Sequence, residues 1–88
     1  MPFSEPKPST WSEQHIAEHN VTMDEVAQVL AAPHVESPGR DNTVIVAGTT
    51  ESGRHLIIVA ADDDGRAFVV TARDMSASEK RAYRRRMR

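Results

Sequence analysis

Two arginines stand where apolar segments begin or end: Arg54 opens RHLIIVAA, and Arg73 closes AFVVTAR. A guanidinium is planar, stays charged and pairs with two oxygens of one phosphate, so arginines at the margins of a sheet are suited to phosphate chemistry. More cations follow in the final segment, where Lys80, Arg81, Arg84, Arg85, Arg86 and Arg88 surround Tyr83. Residues 73–88 hold seven basic and two acidic side chains, a net +5, whereas residues 1–72 hold four basic and eleven acidic ones, a net −7. A mildly acidic body with a basic end implies a local anion-binding surface rather than general stickiness. The alternative is a solvated charged helix. A zinc pattern also occurs, because His15-Ile16-Ala17-Glu18-His19 satisfies H-x-x-E-H. Its third ligand would have to come from His55, Glu51 or Glu79, and a chain of 88 residues lacks the body of such a protease. We therefore expect no metal and no cofactor. The Asp62-Asp63-Asp64 run reads as a turn rather than a cation site.

The elements that must position these groups are legible from caps and periodicity. Residues 1–9 carry three prolines and read as an unstructured lead-in, followed by one domain over residues 10–88. Thr10 with Glu13 has capping-box spacing, which predicts a helix from Trp11 to His19 whose sparse apolar side is Trp11, Ile16, His15 and His19. Thr22 with Glu25 repeats the motif and predicts a helix over Met23 to Ala31, with Val26, Val29 and Leu30 as its stripe and Pro33 as its stop.

His34 to Asn42 reads as a loop with a short edge strand at His34 to Glu36. Strands are expected over Thr43–Thr49, Arg54–Ala61 and Ala67–Arg73, joined by turns short enough to force an antiparallel meander. Alternation along the last strand would put Phe68, Val70 and Ala72 on one face and Val69, Thr71 and Arg73 on the other. Ser76 with Glu79 starts a basic helix at Ala77. The expected class is α+β: two short N-terminal helices, a three- or four-stranded antiparallel meander and a basic C-terminal helix. With no Cys, no secretory leader pattern and no membrane-length apolar run, a cytoplasmic, membrane-free protein is expected.

The order and spacing of these residues resemble the BrnT-type toxins of bacterial toxin–antitoxin systems, relatives of the RelE-like ribonucleases. The resemblance rests on Trp11 and the helix after it, His19-Asn20-Val21, Glu25, the helix end from Leu30 to Pro33, and Gly53-Arg54. It continues through Thr71-Ala72-Arg73 to Glu79 and Tyr83. Glu18 and Asn20 depart from the pattern, which favours lysine and glycine there. The resemblance implies a RelE-like fold, metal-independent RNA cleavage and neutralisation by a cognate antitoxin. Such an antitoxin is commonly a small DNA-binding protein of ribbon-helix-helix type, so DNA is contacted only through the complex.

Cleavage by 2′-OH attack needs a group acting on the hydroxyl, cations on the phosphorane and an acid at the leaving oxygen. Arg54 and Arg73 are the candidate cations and His19 the first candidate for proton transfer, ahead of His15 and His55. Tyr83, one turn from Glu79, is placed to stack on a base or bond a phosphate, or else to anchor its helix. Glu79 reads first as the partner of Ser76 and second as a catalytic group. Lys80, Arg81, Arg84, Arg85 and Arg86 would bind RNA or the antitoxin. A non-catalytic binding module of the same fold is the competing reading.

Overall fold

The computed structural model describes Phe3 and residues 5–87; Arg88 and the lead-in residues 1, 2 and 4 lie outside them. The chain forms helices α1 (Thr10–Ala17) and α2 (Met23–Ala31), strands β1 (Val35–Pro38), β2 (Thr43–Thr49), β3 (His55–Asp63) and β4 (Arg66–Asp74), and helix α3 (Ala77–Arg86). The strands make one antiparallel sheet in the order β1-β2-β3-β4. This is the expected α+β meander with its fourth strand present. None of the described helices is long and apolar enough to cross a membrane.

Helices α1 and α2 cover one face of the sheet, here called the inner face. Ile16, Val21, Val26, Val29 and Leu30 pack there against Val46, Leu56, Ile58, Ala60, Ala67, Val69 and Ala72. Gly48 permits the close approach of α2, because a Cβ at this position would lie 2.7 Å from Val29 Cγ1. Both expected capping boxes at α2 and α3 are formed, Thr22 with Glu25 and Ser76 with Glu79. The β3–β4 hairpin turns on Asp64 and Gly65, whose φ angles of 53° and 84° match the left-handed pair that a two-residue type I′ turn requires.

Five expectations are corrected. Helix α1 is capped by Ser9 rather than Thr10 and ends at Ala17, so His19 falls beyond it. Its buried side is Ser12 and Ile16, with the Ser12 hydroxyl donating to the Val69 carbonyl at 2.7 Å, while Trp11 stays 45% exposed and stacks on His15 and Phe68. The alternation along β4 is broken by a bulge. Thr71 pairs with Val59 and Val69 with Ala60, so Val70 is the extra residue and both Val69 and Ala72 face the core.

The lead-in is not unstructured where it is described. Pro6 bridges Ala67 in parallel, Lys7 N–H donates to the Ala67 carbonyl, and Ala67 N–H donates to the Glu5 carbonyl. Lys7 pairs with Asp63, and Phe3 is buried in the core with its N–H bonded to Glu36. An aromatic side chain in the core and edge pairing with β4 outweigh the disorder that three prolines suggest.

Candidate functional site

The second, outer face of the sheet is laid out by the register. One cross-strand row is Val35, Ala47, Ile57 and Arg73; the next is Ser37, Ile45, Val59 and Thr71. His55 lies one pleat from Ile57 on the same face. Helix α3 lies over part of this face. Its sheet-facing residues Glu79, Ala82, Tyr83 and Arg86 follow i, i+3, i+4, i+7 spacing and share a cleft with Val35, Ser37, Ile45, Ala47 and Ile57. Of the described residues of α3, none is buried. The helix is held by its cap and by an ion pair rather than by a packed stripe.

That ion pair joins Arg73 to Glu79. Arg73 Nη1 and Nη2 donate to the two carboxylate oxygens at 2.7 and 2.9 Å, and Nη1 also donates to the Asp74 carbonyl at 3.1 Å. Three of the five guanidinium N–H groups are thus engaged, and two remain for another acceptor. Glu79 also accepts the Ser76 N–H at 2.8 Å. The Arg73 guanidinium and then the Ser76 N–H pull the Glu79 carboxyl down to about 2, and Arg73 is raised in turn by Glu79. A carboxylate that acidic stays ionised at neutral pH and is a poor proton acceptor. Its geometry suits it to orienting Arg73 and capping α3. Tyr83 approaches His55 edge-on, with ring centroids 5.8 Å apart and planes at 86°. Arg73, Glu79, Tyr83 and His55 are therefore brought together at one end of the outer face.

Arg54 is not part of this group. It precedes Leu56 by two residues and so points to the inner side, opposite Arg73. Its Nε and Nη2 hold both oxygens of Asp74 at 2.7 and 3.1 Å, and Nη1 holds Glu25 at 3.0 Å and the Asn20 carbonyl at 2.7 Å. A last bond runs from Nη2 to the His19 carbonyl at 3.3 Å. All five N–H groups are engaged. Hydrogen bonds from Asp74 and Glu25 raise the Arg54 pKa further, and Arg54 in turn lowers Asp74. The two arginines meet at Asp74 from opposite faces and do not line one cleft. Arg54 ties the α1–α2 turn, where Asn20 has φ 59°, to the ends of α2 and β4.

His19 enters that tie through its carbonyl, while its exposed side chain lies beyond α1. His15 stacks on Trp11, with 3.7 Å between ring centroids, and its Nδ1 lies 2.8 Å from the Trp11 carbonyl. With α1 ending at Ala17, the two histidines of the H-x-x-E-H pattern do not share one helical turn. No group of three or more potential metal ligands occurs among the described residues.

Arg81, Arg84, Arg85 and Arg86 are exposed and Lys80 is partly so. None of the ion pairs among the described residues uses these five side chains. Sequence reasoning missed the apolar floor under α3, namely Ile45, Ala47 and Ile57, and placed His55 behind His19. The helical spacing of Glu79, Ala82, Tyr83 and Arg86 carries the signal that would have found the cleft. Comparison with protein-family models, curated proteins and solved structures finds no match for this chain.

Proposed function

We propose that this chain is a ribonuclease toxin of the RelE-like, BrnT type, cutting RNA on the outer face of its sheet under helix α3. The observation that carries the reading is the convergence of Arg73, His55 and Tyr83 beside a helix whose exposed side is a row of arginines. An RNA strand lying along α3 would exchange its counterions for Arg81, Arg84 and Arg85. The two unengaged N–H groups of Arg73 face the scissile phosphate and offset charge as the phosphorane forms. In the step itself the 2′-oxygen bonds to phosphorus and the P–O5′ bond breaks, leaving a 2′,3′-cyclic phosphate and a 5′-hydroxyl. His55 is the imidazole on this face and is assigned to take the proton released by the 2′-hydroxyl, while water supplies the proton that the leaving O5′ gains; Tyr83 fixes the His55 ring edge-on.

The cognate antitoxin would cover the same cationic surface with an acidic segment, and the complex would reach DNA through the antitoxin. Salt-sensitive binding, weakened by reversing charge at Arg84 to Arg86, is the expected signature.

The test is induction in bacteria together with cleavage of purified RNA. Wild type should arrest growth and produce fragments ending in cyclic phosphate, and Arg73→Ala and His55→Ala should do neither while remaining folded. Intact RNA and normal growth with wild type would reject the ribonuclease reading. One observation favours the second reading, a binding module without catalysis: the Arg73 fork already holds the Glu79 carboxylate where a phosphate would sit. On that reading wild type binds RNA or an acidic protein, loses binding on substitution of Arg84 to Arg86, and cuts nothing.

A further inference from the structure

The cleft between α3 and the outer sheet face has a volume of about 150 Å³. Engineered apolar cavities of about this size take up a single benzene ring. Ile45, Ala47 and Ile57 line it from the sheet and Tyr83 and Ala82 from α3, with Ser37, Glu79 and Arg86 as its polar lining. A small apolar cleft, an aromatic side chain, a neutral group that both donates and accepts, and a guanidinium form an asymmetric set. They match a flat heterocycle attached to a phosphate rather than a lipid chain or an aliphatic side chain.

The geometry points to a subsite for one pyrimidine nucleotide of single-stranded RNA. The base inserts beneath Tyr83 and bonds Ser37 through its Watson–Crick edge, and the neighbouring phosphate pairs with Arg86. This deepens the ribonuclease reading and rests on it for the choice of RNA. Size supplies the selectivity: the cleft matches a single ring, and a two-ring purine, being larger, seats less completely beneath α3. The subsite lies beside the Arg73–Glu79 pair, since Glu79 also lines the cleft. A pyrimidine seated there delivers its phosphodiester towards Arg73, which makes the slot a determinant of where the chain is cut.

The test is titration of the full chain, labelled at its methyl groups, with UpUpU and with ApApA. UpUpU should shift the resonances of Ile45, Ala47 and Ile57, and ApApA should bind roughly tenfold more weakly or leave them in place. Ala82→Leu fills the slot from the exposed helix and should weaken UpUpU roughly tenfold with little change in melting temperature. Arg86→Gln should lower the log–log salt slope by roughly 0.7.

Equal affinity for the two trinucleotides, or UpUpU shifts confined to residues outside the cleft, overturns the subsite. So does a self-association of the wild type that Ala82→Leu abolishes, because the slot would then belong to a second copy of the chain. The methyl shifts of wild type decide the matter even if a variant fails to fold. UpUpU seated in the cleft but never cut supports the subsite while rejecting the ribonuclease reading; cleavage indifferent to base does the reverse.

Discussion

The two faces of the sheet are built to different rules. The inner face meets α1 and α2 through side chains that are almost wholly removed from water, such as Ile16, Val26, Leu56 and Ile58. The outer face meets α3 through a helix with no buried residue among those described, held at one end by a cap and an ion pair. The cations divide in the same way. Arg54, on the inner side, uses every N–H to join three elements, whereas Arg73, on the outer side, keeps two in reserve. In a chain this short one core must supply the stability. It occupies the inner face, while α3 on the outer face adds no buried residue among those described.

The contrast is sharpest in stability. Truncating Leu56 or Ile58 to Ala should cost about 2–5 kcal/mol in denaturant unfolding, since each is fully buried. Tyr83→Ala should cost less than about 1 kcal/mol. Comparable losses would show that α3 is as integral as α1 and α2, and the division between the faces would fall. Arg54→Met comes next, at about 2 kcal/mol, because it leaves the Glu25 and Asp74 carboxylates without their shared cation; their partial exposure keeps the effect below that of a fully buried pair. A cost near zero would mean that water replaces the tie.

Ser76→Ala should cost about 1 kcal/mol. The loss should register as faster amide exchange confined to α3, with the inner-face strands unaltered.

The smallest effect is one of pH. The Glu79 pKa lies below its ordinary value, so the Arg73 pair stabilises α3 fully above pH 4.5 and loses that contribution as pH falls towards 2. Screening at this half-exposed pair holds the contribution to less than about 1 kcal/mol. Helicity of α3, followed by the resonances of its amides, should fall across that window in wild type and already be reduced at neutral pH in Arg73→Met. An α3 indifferent to acid would assign its docking to the cap alone.

Much of this fold is local and could be read from the sequence. Capping boxes are spaced motifs, and the turn at Asp64-Gly65 needs residues tolerant of left-handed backbone, so the starts of α2 and α3 and the β3–β4 hairpin were legible. The pairing was not. Val70 reads as an ordinary strand residue until its neighbours are known, and the bulge reverses the parity on which any assignment of faces depends. The separation of Arg54 from Arg73 is hidden in the same way, since it depends on Leu56 pairing with Asp74. Two arginines at strand ends look like one site in one dimension. His19 shows a second limit: the structure uses its backbone carbonyl, which composition cannot indicate.

The segment from Glu5 to Lys7 does more than cover the start of β4. An outermost strand with unpaired N–H and C=O groups is a template on which a neighbouring molecule can add a strand of its own, and growth of that kind leads to fibrils. Here the Ala67 groups bond to the lead-in and the Val69 carbonyl is taken by Ser12, while at the far side β1 is only four residues long and ends on Pro38. The start of the β4 margin is thereby covered and the opposite margin is kept short, both of which discourage edge-to-edge growth. Removal of the first eight residues should expose this hazard as concentration-dependent aggregation.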